Sequence, residues 1–200
     1  VWIIGYALHL PYYSFKKIFW ELSYDRYLSF IQVDVLHCIA AGWLIMLIAS
    51  LIIRSSKGYF IFLWIAAIGI VTLAPFIWKT DFGKFVPIPV AAYFNKQYNS
   101  LFPLFPWVAF MLFGGIIAHI FTKVIKKEKE KPFIRNLFII GIILVALFFI
   151  VFHVFSRYIR IPMDWTIKPD FFTLRLGSVF LLFCILWYYE QKRSIKSKIL

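Results

Sequence analysis

The sequence predicts an all-α fold, a polytopic bundle of about six transmembrane helices. Of its 200 residues, 62% are hydrophobic, and the mean hydropathy is +0.83. Only 16% are charged, whereas about a quarter of the residues of a soluble domain are charged. A soluble chain of this length has too small an interior to bury so many apolar side chains. We therefore expect lipid to cover them.

Six apolar segments are candidates for the helices, because a membrane span needs about 20 apolar residues. The first of them is short, and the sequence opens abruptly on apolar residues. We expect residues 1–200 to form a single transmembrane domain, the C-terminal part of a longer membrane protein. The six segments are 1–13, 31–53, 59–78, 106–124, 134–155 and 171–189.

The basic residues predict the orientation of the bundle and its main partner. The formal net charge is +13, and the densest basic clusters are residues 123–131 and 192–198. With six alternating helices these clusters and the turn at 54–57 lie on one side, which the positive-inside rule assigns to the cytoplasm. Basic residues that flank apolar spans are typical of contact with lipid headgroups. We expect a lipid bilayer as partner and no nucleic acid.

Two connectors on the opposite side carry structural signals. Residues 14–30 space their apolar side chains as in a short helix lying in the membrane interface. Residues 79–105 form the longest connector, and Pro87, Pro89 and Pro103 exclude a continuous helix there. Its many aromatic side chains predict that it packs over the mouth of the bundle.

The strongest polar signal is the pair Asp34 and His37 in the second predicted span. Three residues apart, they would share one face of a helix. Ionisable side chains inside a span are expensive and therefore candidates for function. An aspartate beside a histidine can orient the imidazole as a general base. The alternative is a hydrogen-bonded pair that only holds helices together.

Three further residues lie near the ends of their spans that face the same side of the membrane as Asp34 and His37. They are His9, His153 and Arg175. They would bind substrate if the bundle brings them to Asp34 and His37. Residues at the ends of spans are also solvated easily, so each could instead reach the interface.

The sequence has no HExxH, CxxC or GxSxG motif and no pair of histidines four apart. We therefore predict no metal site.

Three stretches together resemble bacterial membrane proteins related to the catalytic domain of heparan-alpha-glucosaminide N-acetyltransferase. Residues 30–40 read FIQVDVLHCIA, residues 101–114 read LFPLFPWVAFMLFG, and residues 171–177 read FFTLRLG. The second stretch resembles that family's proline-aromatic entry into a helix, and the third its Arg-Leu-Gly segment. The resemblance covers most of the chain.

This resemblance implies transfer of an acetyl group from acetyl-CoA to a sugar on the far side of the membrane. It also implies that Trp107 shapes the acceptor side and that Arg175 contacts an anion. The family's Asp-x-x-Arg-Gly motif and the histidine thought to carry catalysis have no counterpart here, and we expect both upstream of Val1. The chain would then supply walls of the active site.

The resulting hypothesis is part of an acyltransferase, multi-pass in the bacterial inner membrane, that acts on a saccharide or another envelope acceptor. Asp34 and His37 would be catalytic, and Trp107, Arg175, His9 and His153 would bind substrate. The alternatives are a transporter or flippase-like protein that binds its substrate in the same polar cluster without chemistry, and a structural subunit. A homo-oligomer is compatible with each.

The orientation can be tested by cysteine labelling of intact cells. Single cysteines at Ser55, Lys129 and Ser197 should resist a membrane-impermeant thiol reagent, because those positions lie on the predicted cytoplasmic side. A cysteine at Lys84 should react. Labelling of the first three positions alone would show that the orientation is the reverse of the predicted one. Labelling of only some of those three would contradict the predicted number of spans.

Overall fold

The computed structural model describes residues 1–21, 23–125, 129–158 and 168–197, and within these ranges it is helical without strands. The predicted all-α fold is confirmed. Short 3-10 turns occur at Pro11–Tyr13, Phe82–Lys84 and Lys96–Tyr98. The helices are α1 (Trp2–Leu8), α2 (Phe15–Glu21), α3 (Tyr24–Ile31), α4 (Val35–Ile52), α5 (Ser56–Ile77), α6 (Ile88–Ala91), α7 (Leu104–Ile125), α8 (Glu130–Tyr158) and α9 (Pro169–Ser197).

Five helices in the described ranges, α4, α5, α7, α8 and α9, are long and apolar enough to cross a membrane. The chain is therefore a multi-pass membrane protein. The first predicted segment, residues 1–13, contains one α-helix, the seven-residue α1, which is followed by the 3-10 turn at Pro11–Tyr13. At 1.5 Å per residue that helix is about 10 Å long, against about 30 Å for the hydrocarbon core. α1 is thus too short to span the membrane by itself.

The start of the second predicted span differs most from expectation. We predicted a helix from residue 31, but α3 ends at Ile31 and α4 begins at Val35. Asp34 is the N-cap of α4, with an extended backbone. The prediction that Asp34 lies within the second helical span is wrong. Aspartate favours this position because its carboxylate accepts the free N–H groups of a first helical turn.

The connector at residues 14–30 is two helices and not one. α2 ends at Glu21, and α3 starts after Ser23, whose backbone is extended. Leu22, which the predicted apolar face included, lies outside the described residues.

The chain divides into two compact units, residues 1–117 and 118–200. In the first, glycines allow α4 and α7 to approach closely. A Cβ atom on Gly42 would lie 3.0 Å from Met111 and 3.1 Å from Val108, and one on Gly115 would lie 3.0 Å from Met46. Small residues at helix contacts are typical of membrane bundles, where dispersion contacts between close helices drive their association. The core of this unit includes Leu63, Ala67, Val108, Leu112 and Ile116.

In the second unit α8 and α9 pack as an antiparallel pair. Cys184 Sγ lies 3.5 Å from the carbonyl oxygen of Ile134 at one end, and the rings of Phe148 and Phe171 are 4.9 Å apart at the other. Between these contacts Gly141 and Gly177 meet backbone to backbone: a Cβ on Gly177 would lie 2.8 Å from the carbonyl oxygen of Gly141. The glycine contact sets the separation of the two helices.

The connector at residues 79–105 is folded against the ends of the spans in the first unit. The indole N–H of Trp78 donates to the carbonyl of Phe105, and the side-chain amide of Asn95 donates to the carbonyl of Thr80. Asn95 and Ser100 are almost fully buried. The prediction that this connector packs on the bundle is confirmed.

The glycine contact between α8 and α9 can be tested by thermal unfolding of the purified chain in detergent. Gly177→Ala should lower the free energy of unfolding by about 1–3 kcal/mol, because the new methyl group must push a backbone carbonyl away. Gly69→Ala is the matched control: a Cβ there would meet nothing within 4 Å, and alanine is the better helix former. Equal melting temperatures of the two variants would contradict close contact at Gly177.

Candidate functional site

The candidate site is built around the carboxylate of Asp34 at the start of α4. Its Oδ1 accepts hydrogen bonds from the backbone N–H groups of Leu36 (2.9 Å) and His37 (3.1 Å), as expected of an N-cap. The same oxygen lies 2.7 Å from Nδ1 of His37. Oδ2 lies 3.1 Å from Nε2 of His9, which follows α1. One carboxylate therefore joins two histidines from separate parts of the chain.

The hydrogen bond to Asp34 assigns the tautomer of His37. An ionised carboxylate only accepts hydrogen bonds, so Nδ1 must carry the hydrogen at 2.7 Å. The backbone N–H of Asp34 also points at Nδ1, but at 3.4 Å this contact is much weaker than the one at 2.7 Å. Nε2 then presents its lone pair. The ring is 0% exposed, and Nε2 has no hydrogen-bond partner within the part of the chain that the structure describes.

The charge state of Asp34 supports this assignment. Burial of the carboxylate raises its pKa, but the hydrogen bonds from the backbone and ring of His37 and from His9 lower it, and the net pKa lies below the ordinary value of an aspartate. Asp34 is therefore ionised at neutral pH. The arrangement of carboxylate, oriented imidazole and free Nε2 is the one that a general base requires.

Aromatic side chains enclose the His37 ring. The ring of Tyr6 lies edge-on at 4.3 Å, and that of Tyr93 lies at 6.4 Å. The Tyr93 hydroxyl accepts a hydrogen bond from the indole of Trp2 at 2.6 Å and shares one with the Tyr6 hydroxyl at 2.9 Å. Burial raises the pKa of Tyr93, so its hydroxyl keeps its proton and can donate it to a hydrogen bond at neutral pH.

Gly5 makes room for the imidazole against α1. A Cβ atom at this position would lie 2.6 Å from Cε1 and 2.9 Å from Nε2 of His37, closer than any real side chain can come. A glycine is therefore needed here for the close approach of α1 to the ring.

The connector at residues 79–105 is tied directly to the site. The carbonyl of Val33, next to Asp34, accepts hydrogen bonds from the backbone N–H groups of Leu101 and Phe102, both at 3.0 Å. The hydroxyl of Ser100 lies 3.3 Å from the N–H of Val33 and donates to the carbonyl of Ala92. The connector thus positions both Tyr93 and the start of α4.

The structure brings together three of the predicted site residues: His9, Asp34 and His37. His9 was expected either to join the site or to reach the membrane interface, and its contact with Asp34 favours the first interpretation. Trp107 lies in the first turn of α7, where its ring packs with Phe102 at 5.0 Å and Phe110 at 6.1 Å.

The other two predicted residues lie in the second unit. Arg175 is half-buried in α9. His153 falls in the C-terminal part of α8, and its side chain lies outside what the structure describes. The contacts that define the site all come from the first unit.

Sequence reasoning missed Tyr6 and Trp2, although a signal was present. Trp2, Tyr6 and His9 follow the spacing i, i+4, i+7 and so lie on one face of α1 and its C-cap. Polar-tipped side chains on one face of a short helix indicate a shared partner. We predicted that the connector aromatics, including Tyr93, cap the bundle, but not that Tyr93 approaches His37.

No group of three or more histidine, cysteine, aspartate or glutamate side chains in the described residues is arranged to hold a metal ion. The cluster of His9, Asp34 and His37 is joined by hydrogen bonds between its own members.

The depressed pKa of Asp34 makes a pH-dependent contribution to stability. A carboxylate whose pKa is lowered by folding stabilises the protein above its unfolded pKa, and that contribution disappears as the pH falls through the folded value. Asp34→Ala should lower the free energy of unfolding at pH 7 by about 0.5–2 kcal/mol through the lost N-cap. The difference in melting temperature from the unmodified chain should narrow as the pH is lowered from 7 to 3. Asp25→Ala, in the first turn of α3, is the control and should lower the free energy of unfolding by less at pH 7. A difference in melting temperature that stays constant with pH for Asp34→Ala would contradict the lowered pKa of Asp34.

Comparison with known proteins places this site in a family. No curated protein and no solved structure matches the chain. Residues 23–155, about two thirds of the chain, match the family model described as heparan-alpha-glucosaminide N-acetyltransferase, catalytic. The matched region contains Asp34, His37, Tyr93 and Trp107, whereas His9 and Arg175 lie outside it. The chain therefore belongs to the family of the catalytic domain of heparan-alpha-glucosaminide N-acetyltransferase.

Proposed function

We propose that the chain is part of a membrane-embedded acyltransferase that moves an acetyl group from acetyl-CoA to a saccharide or another envelope acceptor, in the bacterial inner membrane. Membership of the family supports a membrane acetyltransferase. The observation in the structure that carries the proposal is the Nε2 lone pair of His37, buried and without a hydrogen-bond partner among the described residues. A buried polar atom without a partner is costly and is therefore a candidate for a functional role.

His37 acts as the general base in this proposal. Nε2 takes the proton from the amine or hydroxyl of the acceptor as that nucleophile attacks the carbonyl carbon of the thioester. The new carbon–nitrogen or carbon–oxygen bond forms, and the carbon–sulfur bond breaks. The proton on Nε2 then passes to the departing thiolate, which leaves His37 in its starting state.

Asp34 holds His37 in the reactive tautomer. Its 2.7 Å hydrogen bond keeps the hydrogen on Nδ1, and its charge stabilises the imidazolium that forms when Nε2 is protonated. His9 holds the second carboxylate oxygen at 3.1 Å and so limits rotation of the carboxylate. His9 is thus proposed to position Asp34 and not to bind substrate directly.

An acyl group bound at Nε2 would meet aromatic side chains. Tyr6 and Tyr93 supply aromatic walls, and their hydroxyls form a hydrogen-bonded pair at 2.9 Å beside the imidazole. Acetyl-CoA would supply the activated acyl group as a thioester. Trp107, Arg175 and His153 remain proposed contacts of the substrates, with Trp107 offering a ring on which a sugar can stack.

The catalytic role can be separated from a structural one by measuring activity per folded molecule. His37→Ala and Asp34→Asn should each lower acetyl transfer from acetyl-CoA to a glucosaminide by tenfold or more, because general-base steps contribute about 10² to 10⁴. His119→Ala is the matched control, a half-buried histidine of α7 outside the site, and should keep its specific activity.

The same samples should be melted in detergent. If the pair only holds the bundle together, both site variants will melt at lower temperature while their activity per folded molecule stays unchanged. That outcome would refute the catalytic role and leave the structural one.

A further inference from the structure

A groove of about 690 Å³ opens between the N-terminal end of α8 and the C-terminal end of α9, within the second unit. The α8 wall follows the spacing i, i+3, i+4, i+7 and is therefore one face of that helix. The wall consists of Lys131, Ile134, Arg135 and Phe138, and α9 contributes Ile185, Tyr188 and Lys192 opposite.

The charges at this end of the helix pair are segregated by sign. Lys131, Arg135 and Lys192 line the groove, and no carboxylate of the described residues does. The acidic residues nearby in sequence, Glu130 and Glu190, line a separate groove of about 490 Å³. In the described part of the chain none of the three cations forms a salt bridge. Three like charges gathered at one site, without a counter-charge, favour an anionic ligand.

Apart from Gln191, the remaining lining is mostly apolar and open to the side of the helix pair. Phe138 is 42% exposed and Ile185 is 59% exposed, although both lie in membrane-spanning helices. Lys131 and Phe138 are seven positions apart, which is about 10 Å along the helix axis. The groove is thus cationic at the end of the spans and apolar about 10 Å deeper, which is the change of polarity between a lipid headgroup and its acyl chains.

Aromatic side chains lie at the boundary between these two parts. The Nζ atom of Lys192 lies 5.9 Å from the centre of the Tyr188 ring, and Trp187 also lines the groove. Tyrosine and tryptophan are enriched at headgroup depth because one end of each ring system is polar.

We propose that this groove binds one anionic phospholipid. The phosphate lies among Lys131, Arg135 and Lys192, and the acyl chains lie along Phe138 and Ile185. Tyr188 holds Lys192 over the headgroup. The groove shares no lining residue with the site at Asp34 and His37, and lipid binding does not depend on the acyltransferase proposal.

The test is native mass spectrometry of the full chain in detergent, titrated with phosphatidylglycerol and with phosphatidylcholine of the same acyl chains. One phosphatidylglycerol should be retained at a concentration at least tenfold lower than phosphatidylcholine, and this preference should weaken at high ionic strength. Equal retention of the two lipids, or a preference unaffected by salt, would overturn the proposal.

Two triple variants locate the effect. Replacing Lys131, Arg135 and Lys192 by glutamine should abolish the tenfold preference. Arg54, Lys57 and Lys79 are exposed cations of the first unit. Replacing these three by glutamine removes the same charge and should preserve the tenfold preference. Equal loss in both variants would show a general effect of net charge and refute a specific groove.

Competition distinguishes other sources of phosphate. Inorganic phosphate and acetyl-CoA, each added at the concentration at which phosphatidylglycerol is half-retained, should leave the lipid bound, because neither fills the apolar part of the groove. Displacement of the lipid by acetyl-CoA would assign the groove to the donor's phosphates instead. Displacement by inorganic phosphate would show that the acyl chains contribute nothing.

Discussion

The carboxylate of Asp34 is the interaction on which the rest of the site depends. It accepts hydrogen bonds from two backbone N–H groups of α4 and from two imidazole rings, so it fixes a helix start and a side-chain cluster together. An N-cap stabilises a helix wherever it occurs. Here the cap also sets the orientation of His37, which means that the helix start and the proposed chemistry cannot be altered separately.

The sequence predicted the fold well because long apolar runs have few alternatives in a membrane. The five long helices occur where their segments were expected. The exact place of Asp34 was missed, since apolar residues on both sides of it hid the break between α3 and α4. Helix boundaries are set by one or two residues, and hydropathy averages over about twenty.

The site was only partly predictable. Asp34 and His37 stood out because ionisable residues are rare in apolar sequence, and three residues of spacing let them meet in a first helical turn as well as within a helix. The hydrogen bonds that join His9 to Asp34 and Trp2 to Tyr93 connect positions 25 and 91 residues apart. The contact of His9 depends on how residues 10–33 fold, and the contact of Tyr93 depends on how the connector at residues 79–105 folds. Turns and buried polar residues decide both, and no periodic pattern encodes them.

The hydrogen bonds of Val33 make the connector and the imidazole parts of one mechanical element. Its carbonyl holds Leu101 and Phe102, and the next residue along the chain is Asp34. A displacement of the connector must therefore pull on the peptide unit that carries the carboxylate. The His37 ring is 0% exposed and Nε2 lies against Gly5 of α1, so in the proposed reaction a substrate would reach Nε2 only after the surrounding side chains move. In that proposal the rate of this movement would set an upper limit on turnover, however fast the proton transfer itself.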